Sequence, residues 1–322
     1  MSSFNRRQFL AAGLGAVGTV ATGVGLGGYV LPVLAREDLI PGSPPDIVLE
    51  PQAWSATADR ITFAALGDNG SGGRQAMAVA GRMAETYVEH PFGNVILLGD
   101  ISYYGKFADR YNDVFLRPMR PLLDAGVQFD LAIGNHDEGL RYSEESYDEI
   151  QAELQLIDTP GRYYMQTYGP ADVFLLDSSV PGLFGPESSD QLEWLDDTLA
   201  GATSPWRIVA MHHPPFSSGK HGSTPRAEGL LVPILERHKV DLVLSGHDHD
   251  YERTVPINGI TYVVSGGGSK TTKVGHSDFT AVAKRILQFL LVEIDGDRLV
   301  GTCIQPAGQV ADRFELRVRE DR

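Results

Sequence analysis

Five times along this chain an apolar, strand-like run ends directly in a short polar loop. "ITFAALGDNG" ends at Gly67-Asp68, "NVILLGDISYY" at Gly99-Asp100 and "FDLAIGNHDE" at Gly134-Asn135-His136. "WRIVAMHHPP" ends at His212-His213, and "VDLVLSGHDHD" at Gly246-His247. Four of the five junctions contain a glycine, which lets the backbone turn tightly and approach a ligand closely. In open α/β sheets the functional crevice lies beyond the carboxyl ends of the strands. The five loops are therefore expected to converge at one sheet edge. His247 and His249 stand two apart, so in an extended segment both rings project to the same side. A set of Asp, Asn, His and Tyr without thiolates suits iron, zinc or manganese. Cys303, the single cysteine, excludes both an intramolecular disulfide and a thiolate metal site.

From Arg60 onward, strand-like and helix-like segments alternate, which predicts an α/β architecture. The pattern gives strands at 61–66, 94–98 and 127–133, with helices at 74–89, 107–125 and 187–201. Further strands are expected at 260–264, 289–294, 298–305 and 310–318, with "EIDGDR" (293–298) as a hairpin turn. This strand-built tail suggests a second sheet packed on the first. A formal net charge of −15 argues against nucleic-acid binding, because counterion release needs a cationic surface. An anionic substrate would need local positive charge, which bound metal ions supply.

The first 35 residues read as an export signal rather than part of the fold. Arg6-Arg7 precede an uncharged run from Gln8 to Ala35, and Val33-Leu34-Ala35 offers a small-residue cleavage site. Paired arginines followed by Gln-Phe-Leu resemble the twin-arginine signal, so the export machinery of that pathway is an expected partner. A periplasmic or extracellular location follows, and an uncleaved segment 8–35 would anchor the chain in a membrane. Residues 36–59, rich in proline, read as a linker to a catalytic domain at 60–320.

The ordered set GDxG (67–70), GDxxY (99–103), GNHD (134–137), VxxH (209–212) and GHxH (246–249) resembles the calcineurin-like metallophosphoesterase superfamily. Within it, the set is similar to the purple acid phosphatases of the short, single-domain, tartrate-resistant type. The first motif reads Asp-Asn-Gly where most of the superfamily has Asp-x-His, and Tyr103 stands ready as the replacement ligand. The resemblance implies a four-layer α/β/β/α sandwich with a dinuclear centre at the strand ends. It implies that Asp68, Tyr103 and His249 hold Fe(III), that Asn135, His212 and His247 hold a divalent Fe, Zn or Mn, and that Asp100 bridges. His136 and His221 match family histidines that face the substrate and donate a proton. The implied reaction is hydrolysis of a small phosphate monoester by a metal-bound hydroxide. A phosphodiesterase of the same fold, acting on nucleotides or lipid headgroups, uses the same metals and is the rival reading.

Three other segments have plainer readings. "SGGGSK" (265–270) lacks phosphate-loop spacing and reads as a tight turn near the site. Segment 142–156 reads as an acidic exposed helix. Tyr251-Glu252-Arg253 is expected to support the preceding loop by hydrogen bonding and ion pairing.

Overall fold

The computed structural model describes residues 47–51, 57, 59–103, 110–137, 160–179 and 188–319. The expected export signal, most of the linker and the acidic segment 142–156 lie outside these residues. In chain order the first elements are β1 (Arg60–Leu66), α1 (Arg74–Glu89), β2 (Asn94–Leu97), a π-helical turn (Asn112–Leu116), α2 (Arg117–Asp124) and β3 (Gln128–Leu131). They are followed by β4 (Tyr164–Tyr168), β5 (Ala171–Leu175), α3 (Ser188–Gly201), β6 (Trp206–Met211), α4 (Pro225–Leu230), α5 (Val232–Arg237) and β7 (Leu242–Ser245). The remainder is strand: β8 (Tyr251–Thr254), β9 (Thr261–Ser265), β10 (Thr280–Lys284), β11 (Phe289–Asp295), β12 (Arg298–Ile304) and β13 (Val310–Arg317).

These strands form two sheets, in the orders β13-β12-β11-β1-β2-β3 and β10-β8-β9-β7-β6-β5-β4. Strands β1, β2 and β3 run parallel, as do β5, β6, β7 and β9. The period-two alternation of each central strand builds the layers. On β1 and β2, Phe63, Ala65 and Ile96 enter an apolar layer shared with Ile208, Ala210, Leu242 and Leu244 of the other sheet. Their neighbours Ala64, Leu66, Val95 and Leu97 face outward onto Val79, Ala80, Met83 and Tyr87 of α1. In the second sheet Val209, Met211 and Val243 turn outward to meet Leu195 and Leu199 of α3 and Leu235 of α5. The result is helix, sheet, sheet, helix, as the motif resemblance implies. All four central strands are buried on both faces, which is why they read as continuous apolar runs.

The tail corrects one expectation. Strands β11–β13 do not build the second sheet; they extend the first, with β11 antiparallel to β1 in the register Phe63↔Val292. Leu290, Val292 and Ile294 feed the middle layer while Phe289 and Leu291 face α1, so β11 has the two apolar faces a central strand needs. The expected hairpin is present: Asp295 pairs with Arg298, and Gly296 takes the positive φ of 59° required at the turn. The expected strand at 260–264 does join the second sheet, as β9, where it and the expected β6 and β7 stand with β4, β5, β8 and β10, which the apolar patterning did not single out. The helix expected at 107–125 is a π-helical turn running into α2, its first three residues lying outside the described region.

The middle layer is stabilised mainly by aromatic burial. Phe63 is fully buried, and its ring centroid lies 5.9 Å from that of Tyr168 in the facing sheet. Phe63→Ala is expected to lower unfolding free energy by about 3–5 kcal/mol, the range for emptying a buried aromatic site. Denaturant titration of the variant checks this, and a loss below 1 kcal/mol would contradict tight packing there.

Candidate metal centre

Parallel strands from both sheets end at one edge, and backbone hydrogen bonds stitch the following loops together. Gly67 N–H donates to Ser265 O (2.8 Å), Asp68 N–H to Gly99 O (2.9 Å), and Gly246 N–H to His212 O (3.0 Å). Asp68, Asp100 and His247 adopt positive φ values of 62°, 56° and 69°. Non-glycine residues in that region carry strain that persists only where the surroundings enforce it, typically at functional sites. Gly134 is required by close approach: a Cβ there would stand 2.4 Å from the Asp100 Oδ1 atom.

The seven residues singled out in the sequence as ligands come together in two contact sets. In one, Tyr103 Oη lies 2.9 Å from Asp68 Oδ1 and 3.3 Å from His249 Nε2, and His249 Nε2 lies 3.2 Å from Asp68 Oδ1. In the other, His212 Nε2 is 3.1 Å from Asn135 Oδ1 and 3.2 Å from His247 Nδ1. Asp100 sits beside the second set, its Oδ1 3.4 Å from His212 Nε2. Asp68, Asp100 and His212 also bring ligand atoms within 4.8 Å of one another. Atoms bound to one ion at about 2.0–2.2 Å, at tetrahedral to octahedral angles, stand about 2.8–3.6 Å apart. Both contact sets fall within that spacing and offer only oxygen and nitrogen, so the residues fit a pair of borderline to hard ions.

The imidazoles are held to different degrees. His212 Nδ1 donates to Leu98 O at 2.7 Å, which leaves the Nε2 lone pair directed into the site. The buried Nδ1 of His249 has no such partner. His136 and His221 border the cluster. The His136 ring is 5.1 Å from Tyr103, and the His221 ring is 4.3 Å from His247 and 6.4 Å from His249. Both are exposed at the mouth. His213, adjacent in sequence, packs 4.4 Å from the His247 ring and its Nδ1 lies 3.0 Å from Ser178 Oγ.

Electrostatics mark the same place. Burial opposes charge on Asp100, yet His212 and the His136 N–H hold its carboxyl below the usual range. Burial likewise disfavours His212 as a cation, but Asp100 and Asp68 override it and push the ring up to about 10. His247, by contrast, is pushed down to about 2 by burial and by His212, His213 and His221. The carboxylates demand a positive charge beside Asp100, and a proton on His212 meets it where no ion is bound.

Two supporting carboxylates carry structural weight. Asp137, the last residue of GNHD, accepts the N–H groups of Gly134 and Asp100 at 2.8 Å each, Ile101 at 2.7 Å and Ser102 at 3.3 Å. It thereby locks the loop after β2 to the loop after β3. Burial and the Asp100 charge push Asp137 up to about 7, against the pull of those donors. Asp248, between the two ligand-type histidines, accepts Ser217 Oγ (2.6 Å) and the N–H groups of His221 (2.7 Å) and Gly222 (3.2 Å). Such roles leave no motif because their partners are mostly backbone. Support from Tyr251, Glu252 and Arg253 is as expected: Tyr251 and Arg253 bond to Asp312 on β13, while Glu252 accepts from Ser218 and Thr280.

Comparison with known proteins agrees with this geometry. Residues 61–251 match the calcineurin-like phosphoesterase family. Purple acid phosphatase 3 of Arabidopsis thaliana is 27% identical over 258 residues, covering 70% of this chain and 68% of that protein. Tartrate-resistant acid phosphatase type 5 of Sus scrofa is 27% identical over 277 residues, covering 74% and 78%. The solved purple acid phosphatase PPD1 of yellow lupin (Lupinus luteus) superposes with a TM-score of 0.68 at 20% identity. That alignment spans 82% of this chain and 55% of the lupin protein. The chain belongs to the calcineurin-like phosphoesterase family of hydrolases, with purple and tartrate-resistant acid phosphatases among its relatives.

Proposed function

We propose that the chain is an exported phosphatase that hydrolyses phosphate monoesters at a two-metal centre. One observation carries the reading: six ligand-type side chains, drawn from both sheets, meet in two contact sets, with Asp100 beside them as the seventh. Asp68, Tyr103 and His249 would hold Fe(III), because a phenolate and carboxylates favour a trivalent ion. Asn135, His212 and His247 would hold divalent Fe, Zn or Mn, with Asp100 serving both. When bound, such ions activate water and neutralise the phosphoryl oxygens.

The chain's own groups do the rest. Hydrogen bonding of His212 Nδ1 to Leu98 O fixes its tautomer and aim. His136 and His221, exposed beside the ligand sets, would give a proton to the departing ester oxygen. Asp248 orients the segment that carries His221 through the His221 N–H. Because the chain as a whole is acidic, attraction of a phosphate ester must be local to the metal centre.

Asp100→Asn is expected to lower metal affinity at least about 10-fold, the loss seen when even a ligand's support is disturbed, and to remove activity with it. Elemental analysis of the purified variant checks this, and full occupancy would count against a shared ligand. In iron-loaded, oxidised protein, Tyr103→Phe should abolish a visible phenolate-to-iron band; a band untouched by the change would sink the iron assignment.

Matched aryl phosphate mono- and diesters, compared across acid to neutral pH, separate the proposed activity from a phosphodiesterase. A strong monoester preference at acid pH is the expected result, and a diester preference would move the function to nucleotides or lipid headgroups. Export through the twin-arginine route rests on Arg6-Arg7, and among the described residues no helix is long and apolar enough to cross a membrane. Replacing both arginines by lysine is expected to hold the chain inside the cytoplasm, read by fractionation; unchanged export would exclude that route.

A further inference from the structure

The Ser-Gly-Gly-Gly-Ser-Lys segment (265–270) belongs to neither ligand set, yet it lies against both metal loops. A Cβ on Gly266 would stand 2.1 Å from Asp248 O, and one on Gly268 would stand 2.3 Å from Gly67 O. Only glycine lets this turn pass so close to the loops after β1 and β7. Two further bonds stitch it to the Asp68 loop: Gly268 N–H to Gly67 O (3.1 Å) and Ser269 Oγ to Asp68 O (2.5 Å). The turn delivers Lys270, whose Nζ lies 3.3 Å from the centroid of the Tyr103 ring. Among the described residues Lys270 makes no hydrogen bond or ion pair, although it is half-buried. A half-buried ammonium would normally seek oxygen partners. Here it meets an aromatic face instead.

We infer that Lys270 is a positioning residue for Tyr103: its charge over the ring sets how strongly that phenol donates electrons to a bound ion. The inference rests on the reading of Tyr103 as an iron ligand. A cation over an aromatic face stabilises the electrons of the ring, and the effect is larger when the oxygen has lost its proton and the ring carries negative charge. The ammonium lies against the ring face, so its field acts most directly on the electrons of the ring. It therefore lowers the filled ligand orbitals more than the empty metal orbitals. Two consequences follow. The ligand-to-metal transition moves to higher energy, and the reduced ion gains stability relative to the oxidised one because the ligand donates less.

The test uses the full chain, loaded with iron and oxidised, with the visible band normalised to bound iron. K270M is expected to shift the band to longer wavelength and lower the reduction potential, while K270R, which keeps a cation over the ring, stays near wild type. K270Q is the second neutral variant, in case methionine perturbs the glycine turn. A purely structural role for Lys270 would change iron content and band height but leave the band's position per iron alone. A normal wild-type band that neither neutral variant moves, or that K270R moves equally, overturns the inference alone. Wild-type protein that binds iron with no such band overturns the Tyr103 reading and the inference together.

Discussion

Four backbone N–H groups converge on one buried carboxylate, Asp137, and the geometry of the candidate metal centre hangs on that convergence. A buried amide without a partner is costly, and so is a buried carboxylate. Each problem is solved by the other only if the loops after β2 and β3 take one relative position. That position puts the Asp100 Oδ1 atom under the His136 N–H and beside His212. Asp248 repeats the device on the other side, holding the Ser217–Gly222 segment against the loop that carries His247 and His249. Unnamed in any ligand set, these two acids fix where the ligands stand.

The arrangement concentrates negative charge where the fold itself would resist it. Asp68 and Asp100 are almost wholly buried, and the positive φ of each adds strain on top of desolvation. A core selected only for stability would not keep such a set. Two buried carboxylates, a buried phenol and three imidazoles within contact distance make sense as a preorganised demand for cations. Without ions, one proton on His212 meets part of that demand and leaves His247 neutral.

Much of this was legible before the structure, for definite reasons. Strands buried on both faces must be continuously apolar, so the polar residues that follow stand out sharply, as at Leu66-Gly67-Asp68 and Ser245-Gly246-His247. That contrast fixed which residues would converge. It could not say which sheet the tail would join, because the alternation in Phe289–Asp295 reports two apolar faces and not the neighbour they meet. Nor could it find Asp137 as a clamp, since an acceptor of backbone N–H groups leaves no complementary side chain in the sequence. Lys270 was hidden for a related reason: its partner is the face of a ring brought close by a turn, and a flexible lysine after three glycines reads as surface.

Each contact set draws on both sheets. Asp68 and Tyr103 come from the first and meet His249 from the second; Asn135 comes from the first and meets His212 and His247 from the second. An ion seated in either set would therefore act as a rivet between the two halves of the sandwich. The chain contact between Asp68 and His247 already joins residues 179 positions apart. Fastening a loop of that length removes much conformational freedom from the unfolded chain, although the gain grows only slowly with length. A protein whose lone cysteine denies it an intramolecular disulfide would thus obtain a long-range cross-link from any ions seated there.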